Sequence, residues 1–240
     1  MIITLSRNEL AAACLFASKD ESRYIITGVA VQVAAGTVPL LVATDGKRLC
    51  AIATVAEQRQ GFGESFTLIL RPDWAKALVA MSKALGGKLM AWIAFDIQPG
   101  AKPMTVEFVG TNASLAVADS AAALIAGEYP NWRKVMPAKK AARAAITDMA
   151  LNAEYIGDFA KAAKLMGSDT AQVQMNLVGK EQQVEVALAR LPNFYGLVMQ
   201  CRLDDNTEYQ PEFTQIVEQL PPPPAETDPE DVTVEEGGAE

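Results

Sequence analysis

Three stretches of this chain share one order of elements: a strand, a helix, then three strands. The first runs IITLS, helix NELAAACLFAS, then YIITGVAVQVA, PLLVATD and KRLCAIATV. The second runs FTLIL, helix RPDWAKALVAMSKAL, then LMAWIAFDI, MTVEFVG and ASLAVADSAAALIA. The third runs AAITDMALN, helix AEYIGDFAKAAKLMG, then AQVQMNLVG, QQVEVALAR and FYGLVMQCRL. The strands carry β-branched residues in partial alternation and stop at Gly, Asn or Asp. Helix starts near 8, 72 and 153 are unequally spaced, so the repeat is one of structure and not of sequence. This order predicts an α+β fold of three β-α-β-β-β units, with sheets on one side and helices on the other.

Local signals fix several boundaries. Ser6 is placed to cap the first helix, Pro72 suits the first position of the second with Asp73 in its first turn, and Gly167 suits the stop of the third. In LLVATDGKRLCAIA, Leu40 to Ala53, Asp-Gly between two apolar runs predicts a hairpin with a type I′ turn, which needs positive φ at both central residues.

Composition narrows the chemistry. Histidine is absent, which removes the commonest general base and metal ligand and every Ser-His or Cys-His pair. No GxxxxGK[ST] or GxGxxG is present, so nothing resembles a phosphate cradle, and the expectation is a protein without catalysis, cofactor or metal. Cys14, Cys50 and Cys201 are widely separated with no metal-ligand spacing, and read as small core hydrophobes in a reducing compartment. No apolar run is long enough to span a bilayer, and MIITLSRNEL lacks the basic and apolar regions of a secretory signal, so the expected location is the cytoplasm, with no membrane partner.

Charge is divided unevenly. Of 21 basic and 29 acidic residues, twelve acids and no bases lie between Asp204 and Glu240, which leaves the body at +4 within a chain of net charge −8. Arg7, Arg71, Lys76, Lys83, Lys161 and Lys164 lie on the polar faces of the three helices, and Lys139, Lys140 and Arg143 form a second basic run. A basic wall of this kind suits phosphate backbone, and little aromatic interleaving argues against stacking on single strands. Beyond Leu203, PEFTQIVEQL has a short amphipathic period, PPPP stops it, and the acidic remainder is too polar to build a core.

Five motifs, in order over about 200 residues, resemble the β sliding clamp of bacterial replicative DNA polymerase. ATDGKRL is similar to the family's ATDGHRL, with Lys47 in place of histidine, and SRYIITGV is similar to its RYYLNG segment. GEYPNWRKVMP resembles the stretch G-[KR]-[FY]-P-[DN]-[YW]-R-[RK]-V-[LIM]-P. ALNAEYIGDFAKAAK resembles F-N-[AV]-x-Y-[VIL]-x-[DE]-[AV]-L-x-A, and FYGLVMQCRL resembles the family's last strand, with Gln200 in place of proline. The resemblance covers the family's whole middle domain (1–137) and the second half of its last domain (138–203), followed by the acidic tail (204–240).

The resemblance implies the DNA-clamp fold and a cleft where short linear peptides of polymerases and repair proteins dock. It assigns to that cleft Ile26, then Thr44, Gly46, Lys47, Arg48 and Leu49 of the turn, and Pro130, Lys134 and Val135 of the YPNWRKV match. Asn152 and Tyr155 come from the third helix, and Leu197, Val198 and Met199 from the last strand. Ile26, Leu49, Val135, Leu197 and Met199 would make an apolar pocket, with Arg48 and Tyr155 as rim anchors. The implied function is a processivity factor whose basic helices face duplex DNA without reading bases. The alternative is a clamp-like interaction module or decoy of a phage or mobile element that does not encircle DNA. A clamp ring contains twelve half-domains built in pairs, so three units leave an unpaired third half and imply self-association.

Overall fold

Period-2 alternation gives the central sheet two apolar faces. Val29, Val31, Val33, Leu41, Ala43, Cys50, Ile52, Phe194 and Val198 turn to the helices, whereas Ala30, Val42, Leu49, Ala51 and Leu197 turn the other way. The computed structural model describes residues 2–34, 37–54, 65–86, 92–96, 104–109, 112–117, 120–137, 149–177 and 183–201. Lys139, Lys140, Arg143, the opening of AAITDMALN and the whole acidic tail with PEFTQIVEQL lie outside the described residues.

The first unit comprises β1 (Ile2–Ser6), α1 (Arg7–Cys14), α2 (Tyr24–Thr27), β2 (Val29–Val33), β3 (Leu40–Thr44) and β4 (Arg48–Ala53). The second comprises β5 (Phe66–Leu70), α3 (Pro72–Gly86), β6 (Trp92–Asp96), β7 (Met104–Phe108), β8 (Ser114–Val117) and α4 (Ser120–Ala123). The third comprises α5 (Ala153–Leu165), β9 (Val173–Leu177), β10 (Val184–Leu188) and β11 (Phe194–Val198). The first two units exchange their opening strands: β1 pairs with β6 and β5 pairs with β2, both antiparallel. The sheets are therefore ordered β1-β6-β7-β8 and β5-β2-β3-β4-β11-β10-β9. The β4–β11 pairing, from Phe194↔Ile52 to Val198↔Arg48, joins the third unit to the first, and Met1–Arg202 form one compact unit.

Two strand readings need correction. Tyr24–Thr27, read as strand, is a helical turn, entered from Asp20, whose side chain accepts from Ser22 N, and closed by Thr27 Oγ1 donating to Tyr24 O at 2.6 Å. In ASLAVADSAAALIA the strand stops at Val117 and Ser120–Ala123 is helical, as its alanines favour. Ser6 occupies the cap position of α1 but makes no side-chain cap bond. Gly167, by contrast, closes α5 in a Schellman arrangement: φ is +91°, its N–H donates to Lys164 O at 3.1 Å and that of Ser168 to Ala163 O at 2.9 Å.

An aromatic cluster ties the third unit to the first, with Phe16 and Phe159 centroids 4.9 Å apart and Phe159 edge-on to Phe194 at 6.1 Å. Gly196 lies directly against the Phe159 ring, where a Cβ would collide with it. Gly196→Ala should therefore destabilise the protein by about 1–3 kcal/mol, the usual cost of overpacking a tight core, read as a lower urea midpoint at unchanged slope. Burial pushes the Cys50 thiol up, and that of Cys14 up to about 11, as for inert core thiols. Cys201 is exposed, so it is not a core residue.

Candidate functional site

The β3–β4 turn departs from the type I′ expectation. Among the described residues Gly46 has φ +87° while Asp45 is not left-handed. The Asp45 carboxylate does the work that a second positive φ would have done: Oδ1 accepts from Lys47 N at 2.8 Å and Arg48 N at 3.0 Å. Thr44 Oγ1 adds bonds to Gly46 N and Arg48 O. Arg23 donates to Asp45 O at 3.1 Å, and its guanidinium occupies the space where a Cβ on Gly46 would be. The turn is thus rigid and forms one end of a cleft.

The floor of that cleft is the outward face of β4 and β11, where Leu49 and Leu197 pair in register and are each 3% exposed. One wall is the segment Tyr129–Val135, pinned to the same face by Trp132, which is buried with Leu49, Ala51 and Leu197. Trp132 Nε1 donates to Gln32 Oε1 at 3.2 Å, and Arg133 covers its ring. Met199 N donates to Lys47 O at 2.8 Å, which holds the chain beyond β11 beside the turn. The rim carries exposed apolar side chains, Val135 at 43% and Met199 at 40%.

The resulting cavity is about 230 Å³ and is lined by Ile26, Thr44, Gly46, Lys47, Arg48, Leu49, Pro130, Val135, Leu197 and Met199. Arg23, Asn131, Trp132 and Gln183 line it as well. Three of these four sit inside the quoted motifs SRYIITGV and GEYPNWRKVMP, and Gln183 precedes β10. The volume is below the ~300–1,000 Å³ of sites that enclose a whole small molecule, and suits one or two apolar side chains of a chain laid across it. A wider concavity of about 500 Å³ lies beside β2, the β2–β3 connection and β5, but it lacks the buried leucine floor.

Four sequence-assigned residues do not line the cleft. Val198 follows Leu197 in a strand and so faces the helices, fully buried. Asn152 caps α5, accepting from Glu154 N at 2.9 Å. Lys134 is exposed on the Trp132–Val135 turn. Tyr155 lies beneath the Arg48 guanidinium, 4.6 Å from it.

Arg48 itself is no rim anchor. It borders the cleft, but its side chain is 8% exposed and runs to the helix side. Its guanidinium donates to Asp158 Oδ2, to Asp45 Oδ2 at 3.2 Å and to Leu15 O at 2.9 Å, and lies over the Phe16 and Tyr155 rings. Burial alone would raise the Asp158 carboxyl, but bonds from Lys161 and Arg48 hold it below the usual carboxylate range. Arg48 thereby locks turn, α1 and α5 together behind the cleft floor.

Of the nine basic residues assigned to a DNA-facing wall, the six that are described lie on or just ahead of the three helices. Arg71, Lys76, Lys83 and Lys164 are exposed. Arg7 is half-buried and donates to Ser82 O at 3.3 Å, linking α1 to α3. Lys161 is exposed but bonded to Asp158 at 2.7 Å. Among the described residues no helix is long and apolar enough to cross a membrane.

No family model matches the sequence, and no curated protein matches it. Solved structures do. DNA polymerase III subunit beta from Borrelia burgdorferi, in complex with a natural product, superposes with TM-score 0.61 at 15% identity, over 85% of this chain and 65% of that one. The beta subunit from Thermotoga maritima gives TM-score 0.61 at 16% identity, over 85% and 66%. That from Pseudomonas aeruginosa gives 0.56 at 16%, over 85% and 67%. The fold is that of the bacterial β sliding clamp. This chain spans about two thirds of those clamp chains, and the cleft described above lies wholly within it.

Proposed function

We propose that this is a non-enzymatic clamp-like protein whose cleft captures short linear peptides of DNA polymerases and repair proteins. One observation carries the reading: a fully buried leucine floor, Leu49 and Leu197, opens between exposed apolar rims, Val135 and Met199, on a framework held by the Asp45 and Arg48 bonds. An exposed apolar patch bordered by polar residues marks a docking site. Met199 at the rim can adapt to several side chains. Titrating a labelled clamp-binding peptide of a bacterial replicative polymerase into the chain and its cleft variants tests this reading.

The helices carry the second half of the proposal. Arg71, Lys76, Lys83 and Lys164 would meet duplex DNA through phosphates, without reading bases, when several chains or a longer ring surround it. Binding to random-sequence duplex should then weaken steeply with salt, and removal of 204–240, with its twelve carboxylates, should strengthen it at low salt severalfold. Duplex affinity that is absent at low salt in both forms favours the other reading, an interaction module that does not encircle DNA.

A further inference from the structure

We propose that the cleft selects peptides carrying an aspartate or glutamate side chain beside their apolar anchors, with Arg23 and Lys47 at the turn end receiving the carboxylate. This rests on the reading of the cleft as a peptide site and adds the chemistry of what enters it. The warrant is the distribution of charge around the leucine floor.

Three cations line the cavity, Arg23, Lys47 and Arg48, and among the described residues no carboxylate does. The three are not equivalent. Arg48 is already matched, since its side chain is 8% exposed and pairs with Asp45 Oδ2 and Asp158 Oδ2. Asp45, the acid of the turn itself, is equally committed: it accepts from Lys47 N, Arg48 N and Arg48 Nε. Arg23 and Lys47 are exposed, and among the described residues neither forms an ion pair. The acids of the adjoining segments lie off the cavity: Asp20 accepts from Ser22 N and Oγ, and Glu21 and Glu128 are exposed. The turn end of the cleft therefore favours an anion from outside the chain.

Both cations are anchored at that end. Arg23 Nη1 donates to Asp45 O at 3.1 Å, and the guanidinium packs on Gly46, where a Cβ would displace it. A guanidinium has five N–H donors in a fixed fork, so that bond leaves donors for an incoming carboxylate. Lys47 follows Gly46, and its backbone is held on both sides: N donates to Asp45 Oδ1 at 2.8 Å and O accepts from Met199 N at 2.8 Å. Leu49 and Leu197 line the same cavity, so a short peptide can place apolar anchors on the floor and a carboxylate at the turn together.

Titration of the full chain with end-blocked forms of the polymerase peptide, carrying aspartate, asparagine or lysine on either side of its apolar anchors, decides. In its better position the aspartate peptide should bind about fivefold tighter than the asparagine peptide, the upper range for an exposed ion pair, and the lysine peptide should bind weakest. Near 1 M salt, where charges are screened over about 3 Å, that advantage should fall below about twofold. Lys47→Glu should invert the order and make the lysine peptide the tightest, an outcome that loss of folding cannot produce. The double variant Arg23→Gln, Lys47→Gln should bring the aspartate and asparagine peptides within about twofold of each other. Equal binding of all three peptides by the unmodified chain overturns the selectivity and leaves the cleft reading standing, whereas no binding of any of them overturns both. An aspartate preference that survives in the double variant also overturns the proposal.

Discussion

Arg48→Ala should lower stability by about 3–5 kcal/mol, the range for breaking a buried ion pair by removing one partner. Arg48 is 8% exposed and satisfies Asp158, Asp45 and Leu15 O at once, so its loss strands acceptors on three elements. In a unit of this size the change corresponds to roughly 6–20 °C in melting temperature. Asp158→Asn should cost less, and the double variant should cost less than the two singles together, because both remove one interaction. The pH dependence has a definite sign. The Asp158 carboxyl is depressed in the folded state, so its contribution is present above the ordinary carboxylate pKa of about 4 and is lost as pH falls through the folded value. The acid limb of the stability curve should therefore be shallower in Asp158→Asn than in the unmodified chain, measured by urea titration from neutral pH down to about 3.

The second large effect is on binding. Leu49→Asp with Met199→Asp should abolish peptide capture, lowering affinity by at least about a hundredfold, because an unpaired carboxylate in an apolar pocket costs several kcal/mol. Leu49 is also part of the packing beneath Trp132, so the double variant alone would mix binding with folding. Met199→Asp separates them: the side chain is 40% exposed and its backbone bond to Lys47 survives. That single variant should keep its melting temperature and still lose at least about tenfold in affinity. Lys134→Ala, outside the cavity, should leave affinity unchanged.

Local chemistry was legible in the sequence wherever it acted over a few residues. Pro72 and Gly167 mark helix ends as observed, and Asp-Gly marks the hairpin. The turn type was not legible, since Asp45 satisfies the backbone with its carboxylate in place of a left-handed φ. Motif matching placed Leu197 and Val198 together in the cleft, yet adjacent strand residues face opposite sides, and only one can be there. The same parity sends Arg48 behind the floor and Leu49 into it. What the sequence could not convey was pairing between distant strands. Exchange of β1 and β5 between units, and the β4–β11 seam that builds the cleft floor, depend on contacts far apart in the chain. Trp132 was missed as a cleft residue for a related reason: its role comes from lying across a sheet whose strands belong to two units.

The central claim is that the Leu49–Leu197 cleft captures a linear peptide, and calorimetric titration of the full chain with a replicative-polymerase clamp-binding peptide tests it most directly. One-to-one binding in the micromolar range, lost in Met199→Asp and kept in Lys134→Ala, is the predicted result. Absence of binding at high micromolar peptide, or binding of equal strength in Met199→Asp, would contradict it.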